Sequence, residues 1–567
     1  MKLSDYVAQY LLERRIKQNY IFTGGAVAHL IDSCWAMHND NPEYLKPICV
    51  LHEQAGSMAL DAFTRATGEL GVMMVTSGPG ATNLLTGIAC SYYDSIPGIY
   101  FTGQVRTWEC KGESNQRQLG FQETDIVSMA LPVTKYAVML TDAADIKYEL
   151  DKAFYLATTD RPGPVLIDIP MDLQWAEIDP SSLRSFVPPQ AKFDSSILSD
   201  RNLRLSAEIM AQSSKPIIIA GGGIRNSRAI SQLHYLSENF SIPVAVTFGG
   251  KDSYPHQSQL FAGLIGTMGN RATNENVNEA DVVIVVGSRL SWRQIRSRPD
   301  KFAPHAKIIH VDIDASEINQ QVMANVSLPM DAGEFLHYLS TELKTIKYKC
   351  DSEWPQKCNQ RLRDNPFLKI DAVNELGAVD PYYFFHILSQ EMAANDVAVI
   401  DAGQNVMWGM QALEPNGRQR ILTAWGHSPM GYSLPASIGP ALHYSGTSTN
   451  VVCTIGDGGF QVNIQELQTI KYYNVPTKIF ILNNHSYGAI KDFQDGNLNS
   501  RYYGTIPEYG YEAPDFISIS NSYGLKTEKI SNNGSVRDGI RKALSVAGPI
   551  VVDVDLGTET SVILDPV

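Results

Sequence analysis

Short apolar runs alternate along the chain with longer segments in which apolar residues recur every three or four positions. The runs are rich in Val and Ile and are short enough to be buried strands, whereas the longer segments have the spacing of amphipathic helices. Regular alternation of strand and helix is typical of α/β proteins with parallel sheets. The pattern predicts thirteen strands, within residues 19–25, 47–53, 71–80, 98–104, 163–170, 215–223, 242–250, 280–288, 306–314, 397–405, 451–459, 477–484 and 549–555.

The alternation stops twice, and these two breaks divide the chain. Residues 173–200 are rich in Pro and Ser, which favours a linker, and residues 347–367 are polar and irregular. A chain of 567 residues also exceeds what one hydrophobic core normally organises. We therefore expect three doubly wound parallel-sheet domains of the α/β class, joined by a linker and a second connection. The expected domains are 1–175, 200–346 and 380–567, the linker is 176–199 and the connection is 347–379.

Charge and apolar content exclude some classes of partner. The net charge of -14 argues against a nucleic-acid surface, which needs clustered Lys and Arg. No apolar stretch reaches the ~18 residues that a membrane-spanning helix needs, and the N-terminal segment lacks the apolar core of a signal peptide. The 7 cysteines contain no CxxC pair and are typical of reduced thiols. The sequence therefore predicts a cytoplasmic protein with no membrane or nucleic-acid partner.

Polar residues follow two successive strands of the last domain. A Gly-Asp-Gly sequence at 456–458 follows one predicted strand, and an Asn-Asn pair at 483–484 follows the next, 25 positions further on. Gly-Asp-Gly alone is also a common turn, but a strand–helix–strand unit of this length places the carboxyl ends of both strands side by side. Asp457 and Asn484 would then offer oxygen ligands to one cation, with the peptide carbonyl of Ser486 as a third. Mg²⁺ prefers such ligands, completed by phosphate oxygens.

The same motif has the features of a diphosphate site. Gly458 and Gly459 let the backbone approach a phosphate group. We also assign Gly456 to cofactor binding. A helix that we expect to begin near Gln461 would point its N-terminus at the diphosphate. The motif therefore predicts a joint site for a magnesium ion and a diphosphate.

The two motifs resemble the thiamine diphosphate (ThDP) motif of the ThDP-dependent decarboxylases and carboligases. Residues 51–105, 121–127, 161–172 and 308–318 resemble the large subunit of acetolactate synthases, and the resemblance runs in the same order along nearly the whole chain. It implies that the three domains are the pyrimidine-binding, central and diphosphate-binding domains of that family.

The resemblance also implies roles for individual residues. Glu53 matches the catalytic glutamate, which hydrogen-bonds the aminopyrimidine of ThDP and promotes loss of the proton at C2. Met430 matches the residue that holds ThDP bent, and Phe121 and Gln122 match residues that face the reacting carbon. The remaining residues that the resemblance places at ThDP are Gly25, Gly403, Gln404 and Asn405.

Two further expectations follow from this resemblance. An uncharged amide such as that of Gln122 is a weak general acid, so release of a free aldehyde is disfavoured and carboligation is favoured. In this superfamily the catalytic glutamate and the metal-binding aspartate come from different subunits. The resemblance therefore implies that Glu53 of one subunit meets Asp457 of another in a homodimer or homotetramer.

The central domain resembles the FAD-binding domain of acetolactate synthases. The Gly-rich turn at Gly222 and Gly223 is weak evidence for a nucleotide by itself. With Arg289 and Asp312 it matches the flavin site of that family, although other relatives keep this domain empty or bind ADP there. We expect FAD in a structural role, because carboligation has no net redox step.

Three departures from the family pattern concern the acceptor side. The loop at 21–32 differs from that of the biosynthetic synthases, and Phe493 occupies the position of a family tryptophan. Trp292 replaces an aspartate, whereas Arg293 is retained and could clamp a carboxylate or phosphate. We therefore assign Trp292, Arg293 and Phe493 to substrate binding. Lys251 also differs from the family pattern, and the sequence gives no reason for it.

The sequence therefore predicts an enzyme that decarboxylates a 2-keto acid and transfers the two-carbon unit to a carbonyl acceptor. The expected donor is pyruvate, and ThDP and Mg²⁺ are the expected cofactors with FAD. A second pyruvate as acceptor would give 2-acetolactate. Two alternatives stay open: transfer to a ketosugar nucleotide in branched-chain sugar synthesis, and simple decarboxylation that releases an aldehyde.

Overall fold

The computed structural model describes residues 1–189 and 196–564 and contains three six-stranded sheets, each of them parallel throughout. The first sheet has the order β2-β1-β3-β4-β6-β5. Its strands are β1 (Gln18–Phe22), β2 (Lys46–Cys49), β3 (Val72–Val75), β4 (Gly98–Gln104), β5 (Tyr136–Met139) and β6 (Pro164–Pro170).

The second and third sheets repeat this doubly wound plan. Their orders are β12-β11-β10-β7-β8-β9 and β14-β13-β15-β16-β18-β17. The second sheet contains β7 (Pro216–Ala220), β8 (Val244–Val246), β9 (Phe261–Leu264), β10 (Val282–Val286), β11 (Lys307–Asp312) and β12 (Val326–Pro329). The third contains β13 (Val397–Ile400), β14 (Arg420–Leu422), β15 (Val451–Gly456), β16 (Thr477–Asn483), β17 (Lys526–Ile530) and β18 (Ile550–Asp555).

Helices cover the faces of all three sheets, and the predicted α/β class is confirmed. The central strands β4, β6, β7, β10 and β16 are buried along their whole length, as strands with helices on both faces must be. The helices are α1 (Leu3–Glu13), α2 (Ala28–Asp40), α3 (Glu53–Thr67), α4 (Pro79–Thr82), α5 (Leu85–Tyr93), α6 (Ile126–Ala130), α7 (Ile146–Thr158), α8 (Met171–Gln174), α9 (Ser196–Ala211), α10 (Gly223–Asn226), α11 (Ile230–Phe240), α12 (Arg271–Glu279), α13 (Ala332–Thr345), α14 (Glu353–Asp364), α15 (Pro381–Glu391), α16 (Gln404–Ala412), α17 (Ser433–Ala436), α18 (Ile438–His443), α19 (Asp457–Val462), α20 (Glu466–Tyr472), α21 (Gly488–Asn497), α22 (Phe516–Ser522) and α23 (Val536–Ser545).

The connections differ from the sequence expectation in one place. Residues 347–367 were expected to be irregular, but α14 forms within them and buries Trp354, Pro355 and Cys358. The segment is polar because its outer face carries charges, while its inner face packs against α12 and β9. Of the expected linker at 176–199, residues 190–195 lie outside the described residues, and α9 begins at Ser196.

The first and third domains share a core that includes α3. Helices α17 and α18 pack against α3, and the buried Asp61 on α3 accepts hydrogen bonds from Arg65 Nε at 2.6 Å and from Tyr432 Oη at 2.5 Å. Because Tyr432 belongs to the third domain, this contact holds the two domains together. It also fixes the orientation of α3, whose first residue is Glu53.

A buried carboxylate joins the central and third domains. Asp252 pairs with Arg225 of the central domain at 3.1 Å and with Arg420 of the third domain at 2.9 Å. It also accepts a hydrogen bond from the backbone N–H of Ile421 at 3.1 Å. Three donors therefore compensate the cost of burying this charge.

Within residues 1–189 and 196–564, none of the helices combines the length and the apolar character that crossing a bilayer requires.

Candidate active site

The predicted metal ligands meet at the carboxyl ends of two adjacent strands of the third sheet. Strands β15 and β16 are parallel neighbours, with Gly456 opposite Leu482. Asp457 and Asn484 directly follow these strands, and Ser486 lies close enough for its backbone N–H to donate to Asp457 Oδ2 at 3.1 Å. The structure therefore brings the three residues into one site, as the strand–helix–strand spacing requires.

Asp457 is nearly inaccessible to solvent, with 2% of its surface exposed. Burial raises the pKa of its carboxyl group to about 6, although the backbone N–H of Gly458 donates to Oδ1 at 2.8 Å. The expectation that a helix begins near Gln461 is wrong, because α19 begins at Asp457 itself. The carboxylate therefore occupies the first turn of the helix, where the helix dipole favours a negative charge.

Asn484 has a fixed amide orientation that leaves its carbonyl oxygen available. Its Nδ2 donates to Gln404 Oε1 at 2.9 Å and to Thr560 Oγ1 at 3.0 Å. Because both amide hydrogens are used, Oδ1 is the atom that can face a cation. Gln404 is held in turn, since its Nε2 donates to Asp492 Oδ2 at 2.6 Å.

Glycine occupies four positions near this edge, and the structural reason for it differs among them. A Cβ atom at Gly458 would lie 2.2 Å from the Tyr487 ring, and one at Gly459 would lie 2.2 Å from Asp401 Oδ2. These two positions therefore require glycine for protein packing. Gly403 and Gly456 instead face open space, and Gly403 has a φ of 78° just before α16. The backbone at these two positions is therefore open to a ligand.

The Met430 loop is anchored to the same sheet. Asp401 Oδ2 accepts from the backbone N–H of Gly431 at 3.0 Å, and Asn463 Nδ2 donates to the Gly431 carbonyl at 2.8 Å. Burial raises the pKa of Asp401 to about 6. Met430 itself is 40% exposed. A large apolar side chain on an anchored loop is thus presented outward, where a ligand or another chain can cover it.

Glu53 begins α3 and is buried, with 5% of its surface exposed. Asn83 Nδ2 donates to its Oε2 at 2.9 Å. The residues just before it are held by the third domain, because the buried carboxyl group of Glu466 accepts from the backbone N–H of Leu51 at 3.1 Å. Burial raises the pKa of Glu466 to about 7.

Gln122 and Glu53 both lie close to the turn that contains Gly78 and Gly80. A Cβ atom at Gly78 would lie 3.1 Å from Gln122 Cβ, and one at Gly80 would lie 3.4 Å from Glu53 Oε1. Gln122 has a φ of 65°, which is uncommon for a residue with a side chain and is typical of functional turns. Phe121 beside it is 87% exposed.

Within the described residues, no hydrogen bond joins Glu53 to Asp457 or Asn484. Among the described residues, the Glu53 carboxylate accepts side-chain hydrogen bonds from the first domain, whereas the groups that bond Asp457 belong to the third. Gly25 lies in a 3₁₀ turn after β1 and faces open space. Phe493 lies on α21, beside the Asp492 that holds Gln404.

The predicted flavin residues share one edge of the second sheet. Gly222 and Gly223 follow β7, Arg289 follows β10, and Asp312 ends β11, and these three strands are neighbours. A Cβ atom at Gly223 would lie 2.6 Å from Gly287 Cα, so the turn requires glycine for backbone packing. The edge is where ligands bind in open α/β sheets.

A cleft of about 480 Å³ lies beside this edge, between the central and third domains. Arg293 contacts one wall, because its Cζ lies 5.6 Å from the ring centroid of Trp425. The residues that line the cleft are Arg289, Ser291, Trp292, Arg293, Glu317, Gln321, Trp425, Gly426 and Ser428.

Comparison with known proteins identifies the family. Residues 1–129 match the N-terminal TPP binding domain of thiamine pyrophosphate enzymes, 203–339 their central domain and 401–554 their C-terminal TPP binding domain. The chain is 34% identical to the probable acetolactate synthase large subunit of Methanocaldococcus jannaschii, over 98% of this chain and 92% of that protein. The chain belongs to the acetolactate synthase large-subunit family of thiamine pyrophosphate enzymes.

Bacterial members of the family give the same result. The acetolactate synthase large subunit of Lactococcus lactis is 32% identical, over 97% of this chain and 92% of that protein. The acetolactate synthase isozyme 2 large subunit of Escherichia coli is 31% identical, over 98% of this chain and 96% of that protein. As a family member the protein is a ThDP- and Mg²⁺-dependent enzyme that decarboxylates a 2-keto acid and ligates the product to a carbonyl acceptor.

The residues at the third-sheet edge fit the diphosphate and metal that an acetolactate synthase-family enzyme uses. Ser486 Oγ and Asn405 Oδ1 are buried and have no hydrogen-bond partner within the part of the chain that the structure describes. Such atoms are costly unless a ligand satisfies them. Asn484 and Asp457 supply an amide oxygen and a carboxylate at this edge, which are ligands of the kind that Mg²⁺ prefers.

The sequence analysis missed several residues of the site, and only some of them leave a signal in the sequence. Asn83 contacts Glu53, and Glu466 contacts the backbone of Leu51, only through tertiary packing. Asp401 directly follows β13 and could have been found as a carboxylate at a strand end. Trp425 could have been suspected because a tryptophan precedes the Gly-His-Ser segment that leads into the Met430 loop.

Proposed function

We propose that the enzyme uses pyruvate as donor and transfers its two-carbon unit to a carbonyl acceptor, with a second pyruvate as the simplest acceptor. The observation that carries this proposal is that Gln122 and Glu53 both lie close to the turn that contains Gly78 and Gly80. A keto acid beside this turn meets an uncharged amide rather than a strong acid. Protonation of the reacting carbon, which would release an aldehyde, is therefore disfavoured relative to carbon–carbon bond formation.

Each polar residue has a defined task in this proposal. ThDP, when bound, supplies the electron sink that makes loss of carbon dioxide possible. Glu53 holds a proton at the aminopyrimidine, and Asn83 orients its carboxylate. Gln122 orients the keto acid by hydrogen bonding. Asp457 and Asn484 hold Mg²⁺ and through it the diphosphate, and Met430 supports the cofactor from its apolar side.

The test supplies purified enzyme with pyruvate, ThDP and Mg²⁺ and quantifies carbon dioxide, acetolactate and acetaldehyde. Acetolactate in equal molar amount to carbon dioxide supports self-ligation of pyruvate. Acetaldehyde as the main product contradicts the proposal and indicates a simple decarboxylase. Slow carbon dioxide release that rises when another carbonyl compound is added indicates a dedicated acceptor.

We infer that the working unit is a homodimer or a homotetramer in which Glu53 of one subunit faces Asp457 of another. The exposed side chains of Phe121, Met430 and Phe493 support this, and among the described residues no hydrogen bond joins Glu53 to Asp457 within one chain. Such apolar side chains beside a polar site are typical of surfaces that another subunit covers.

Subunit complementation tests this arrangement. Glu53→Gln and Asp457→Asn homodimers should each be inactive, whereas mixing the two after partial dissociation should restore activity. The reason is that a mixed dimer contains one site with both wild-type residues. If the mixture stays inactive while the mixed dimer forms, the two residues act within one chain.

We propose that the central domain holds FAD along the edge formed by Gly222, Arg289 and Asp312. The shared position of these residues at the carboxyl ends of β7, β10 and β11 supports this. The visible absorbance of the purified protein, and the flavin released on denaturation, test it. Arg289→Ala should lower the flavin content, and a wild-type protein that takes up no flavin contradicts the proposal.

A second candidate for the acceptor is a ketosugar nucleotide. The cleft lined by Trp292 and Arg293 favours it, because this cleft is larger than a second pyruvate needs.

A further inference from the structure

We propose that Thr560 is a positioning residue of the metal site, whose hydroxyl group fixes the side-chain amide of Asn484 so that Oδ1 faces Mg²⁺. Thr560 lies in the segment 556–564, which follows β18. The inference rests on the proposed role of Asn484 as a metal ligand and adds a residue to it. Its support comes from the orientation of the amide, from the bonds of the hydroxyl group and from the way in which the segment is held.

The orientation of the Asn484 amide follows from a chain of hydrogen bonds that begins at a carboxylate. An ionised carboxylate only accepts hydrogen bonds, so Asp492 Oδ2 faces the amide nitrogen of Gln404, at 2.6 Å. Gln404 therefore turns its Oε1 toward Asn484, whose Nδ2 donates to it at 2.9 Å. The backbone packs closely against this pair, since a Cβ atom at Gly488 would lie 2.0 Å from Gln404 Oε1 and 2.5 Å from Asn484 Nδ2.

The Thr560 hydroxyl group closes a ring of hydrogen bonds with these two amides. It donates to Gln404 Oε1 at 3.3 Å and accepts from Asn484 Nδ2 at 3.0 Å. Because its one hydrogen is used on Gln404, the hydroxyl group can only accept from Asn484. Asn484 is 5% exposed, so loss of this acceptor would leave a buried amide hydrogen unsatisfied. Thr560 therefore opposes the rotation of the amide that would turn Nδ2 toward the cation.

The backbone of segment 556–564 is bonded to α16, the helix that begins with Gln404. Trp408 Nε1 and Gln411 Nε2 donate to two backbone carbonyls of the segment, at 2.9 Å and 2.6 Å. Gln404, Trp408 and Gln411 recur at the spacing of one helical turn and therefore lie on one face of α16. The segment runs along this face, so the helix that carries Gln404 also sets the position of Thr560.

The far end of the segment is anchored to α15 and, through α16, to the central domain. The backbone N–H of Ile563 donates to Tyr382 Oη at 2.7 Å, and this hydroxyl group donates to Gln411 Oε1 at 2.8 Å. Gln411 Nε2 also donates to the carbonyl of Met268 at 3.1 Å. Since β18 holds the other end of the segment, Thr560 has the fixed place that a positioning residue needs.

The Mg²⁺ requirement of ThDP binding tests the proposal without any need for turnover. ThDP is titrated calorimetrically into the full-length enzyme at a series of fixed Mg²⁺ concentrations, which gives the Mg²⁺ concentration for half-maximal binding. Thr560→Val keeps the shape of the side chain and removes the hydroxyl group. Loss of a group that orients a metal ligand lowers metal affinity by about 10–100-fold, so we expect the half-maximal Mg²⁺ concentration to rise by a similar factor.

Two further variants isolate the hydroxyl group. Thr560→Ser keeps it and should stay close to the wild type, whereas Thr558→Val is the matched control because Thr558 is exposed in the same segment. At saturating Mg²⁺, turnover of Thr560→Val should return to the wild-type value, because the reacting groups are unchanged. If Thr560→Val lowers the unfolding midpoint measured without ThDP and Mg²⁺, Thr560→Ser is compared with Thr560→Ala, which differs from it by the hydroxyl group alone.

Three results would overturn the proposal. The first is a Thr560→Val enzyme that needs no more Mg²⁺ than the wild type. The second is a Thr560→Ser enzyme that is weakened as much as Thr560→Val, since the methyl group rather than the hydroxyl group would then matter. The third is an equal effect of Thr558→Val, which would mean that any change in the segment disturbs the site.

Asn484→Ala distinguishes failure of this inference from failure of the proposed metal ligand. If Asn484→Ala raises the Mg²⁺ requirement but Thr560→Val does not, Asn484 stays a ligand and only the role of Thr560 fails. If Asn484→Ala binds ThDP at wild-type Mg²⁺ concentrations, the ligand assignment itself fails. Adding Thr560→Val to Asn484→Ala should have no further effect, because Thr560 acts through that amide. An additional loss in the double variant contradicts the proposal.

Discussion

The Glu53 carboxylate accepts a hydrogen bond from the Asn83 side chain. A substitution that keeps this contact can therefore remove the acid group without disturbing the fold. Replacing Glu53 with Gln keeps the size of the side chain and an oxygen that can accept from Asn83 Nδ2. The variant loses the acid that holds a proton at the cofactor, so we expect turnover to fall by about 10²–10⁴-fold. Carbon dioxide release from pyruvate measures this.

The control for Glu53→Gln is Glu43→Gln, because Glu43 is an exposed residue of the same domain. It should leave turnover unchanged. ThDP binding, measured by calorimetry, should survive in both variants. Unchanged turnover in Glu53→Gln would remove this residue from the mechanism.

The extent to which single residues could be predicted depends on what positions them. Asp457 and Asn484 could be paired from the sequence because adjacent parallel strands end at the same edge. Glu466 could not be connected to Leu51, because more than 400 residues of chain separate them and only the packing of two domains brings them together. The reason for Gly458 also needed the structure, since its neighbour Tyr487 follows a different strand.

At the scale of elements, the sequence predicts the central strands and misses every edge strand except β2. All thirteen predicted strands form, and the five that the structure adds are β5, β9, β12, β14 and β17. All five lie at the outer edge of a sheet, and all are short. β17, with the sequence KTEKI, is polar along most of its length. An edge strand has less apolar surface to bury, so its pattern is weak in the sequence.

Helix α20 connects the third domain to the start of α3 through Glu466, and this contact should respond to pH. Burial raises the pKa of this carboxyl group from 4.5 to about 7. Between these values the folded protein keeps a proton that the unfolded chain has lost, so the free energy of unfolding falls as the pH rises. Glu466→Gln has no such proton, and we expect it to gain stability relative to the wild type from pH 4.5 to pH 7.

Thermal unfolding measures the effect at pH 5, near the lower end of this pH range, and at pH 8, above its upper end. Because Gln can still accept from Leu51, the comparison isolates the ionisation. Glu334→Gln, at an exposed position on α13, provides the control. A difference between variant and wild type that is the same at both pH values would mean that Glu466 titrates normally.

At the scale of the whole molecule, the junction of the central and third domains depends on buried charges. Asp252→Asn removes the carboxylate that Arg225 and Arg420 share and leaves two guanidinium groups without a counter-charge. Loss of one partner of a buried ion pair costs about 3–5 kcal/mol. At about 2–4 °C per kcal/mol for a domain of this size, the unfolding midpoint should fall by about 10 °C.

Asp300→Asn is the matched control, because Asp300 forms an exposed pair with Arg298 at 3.0 Å. Exposed pairs of this kind contribute about 0–1 kcal/mol, so its midpoint should barely move. Equal effects of the two substitutions would show that the Asp252 contact does not stabilise the junction.

Lys251, which the sequence left unexplained, lies at the same junction. It is buried next to Asp252 in the chain, and its carbonyl oxygen lies 3.1 Å from His256 Nε2. The carboxylate of Glu414 in the third domain attracts its ammonium group. Burial lowers the pKa of its ammonium group from 10.5 to about 7, and the attraction of Glu414 offsets this only in part. Burial of this lysine therefore lowers the stability of the junction, because the charged form loses its hydration.

Replacing Lys251 with Met should stabilise the protein, and the gain should depend on pH. Between pH 7 and pH 10.5 the unfolded chain holds a proton on this lysine that the folded protein lacks, so the wild type loses stability as the pH falls. Met has a similar shape and no charge. We therefore expect the rise in unfolding midpoint to be largest near pH 7 and to shrink toward pH 10. Lys349→Met, at an exposed position, should give no such trend. A Lys251→Met variant that is less stable than the wild type at neutral pH would mean that the ammonium group forms a stabilising pair across the junction.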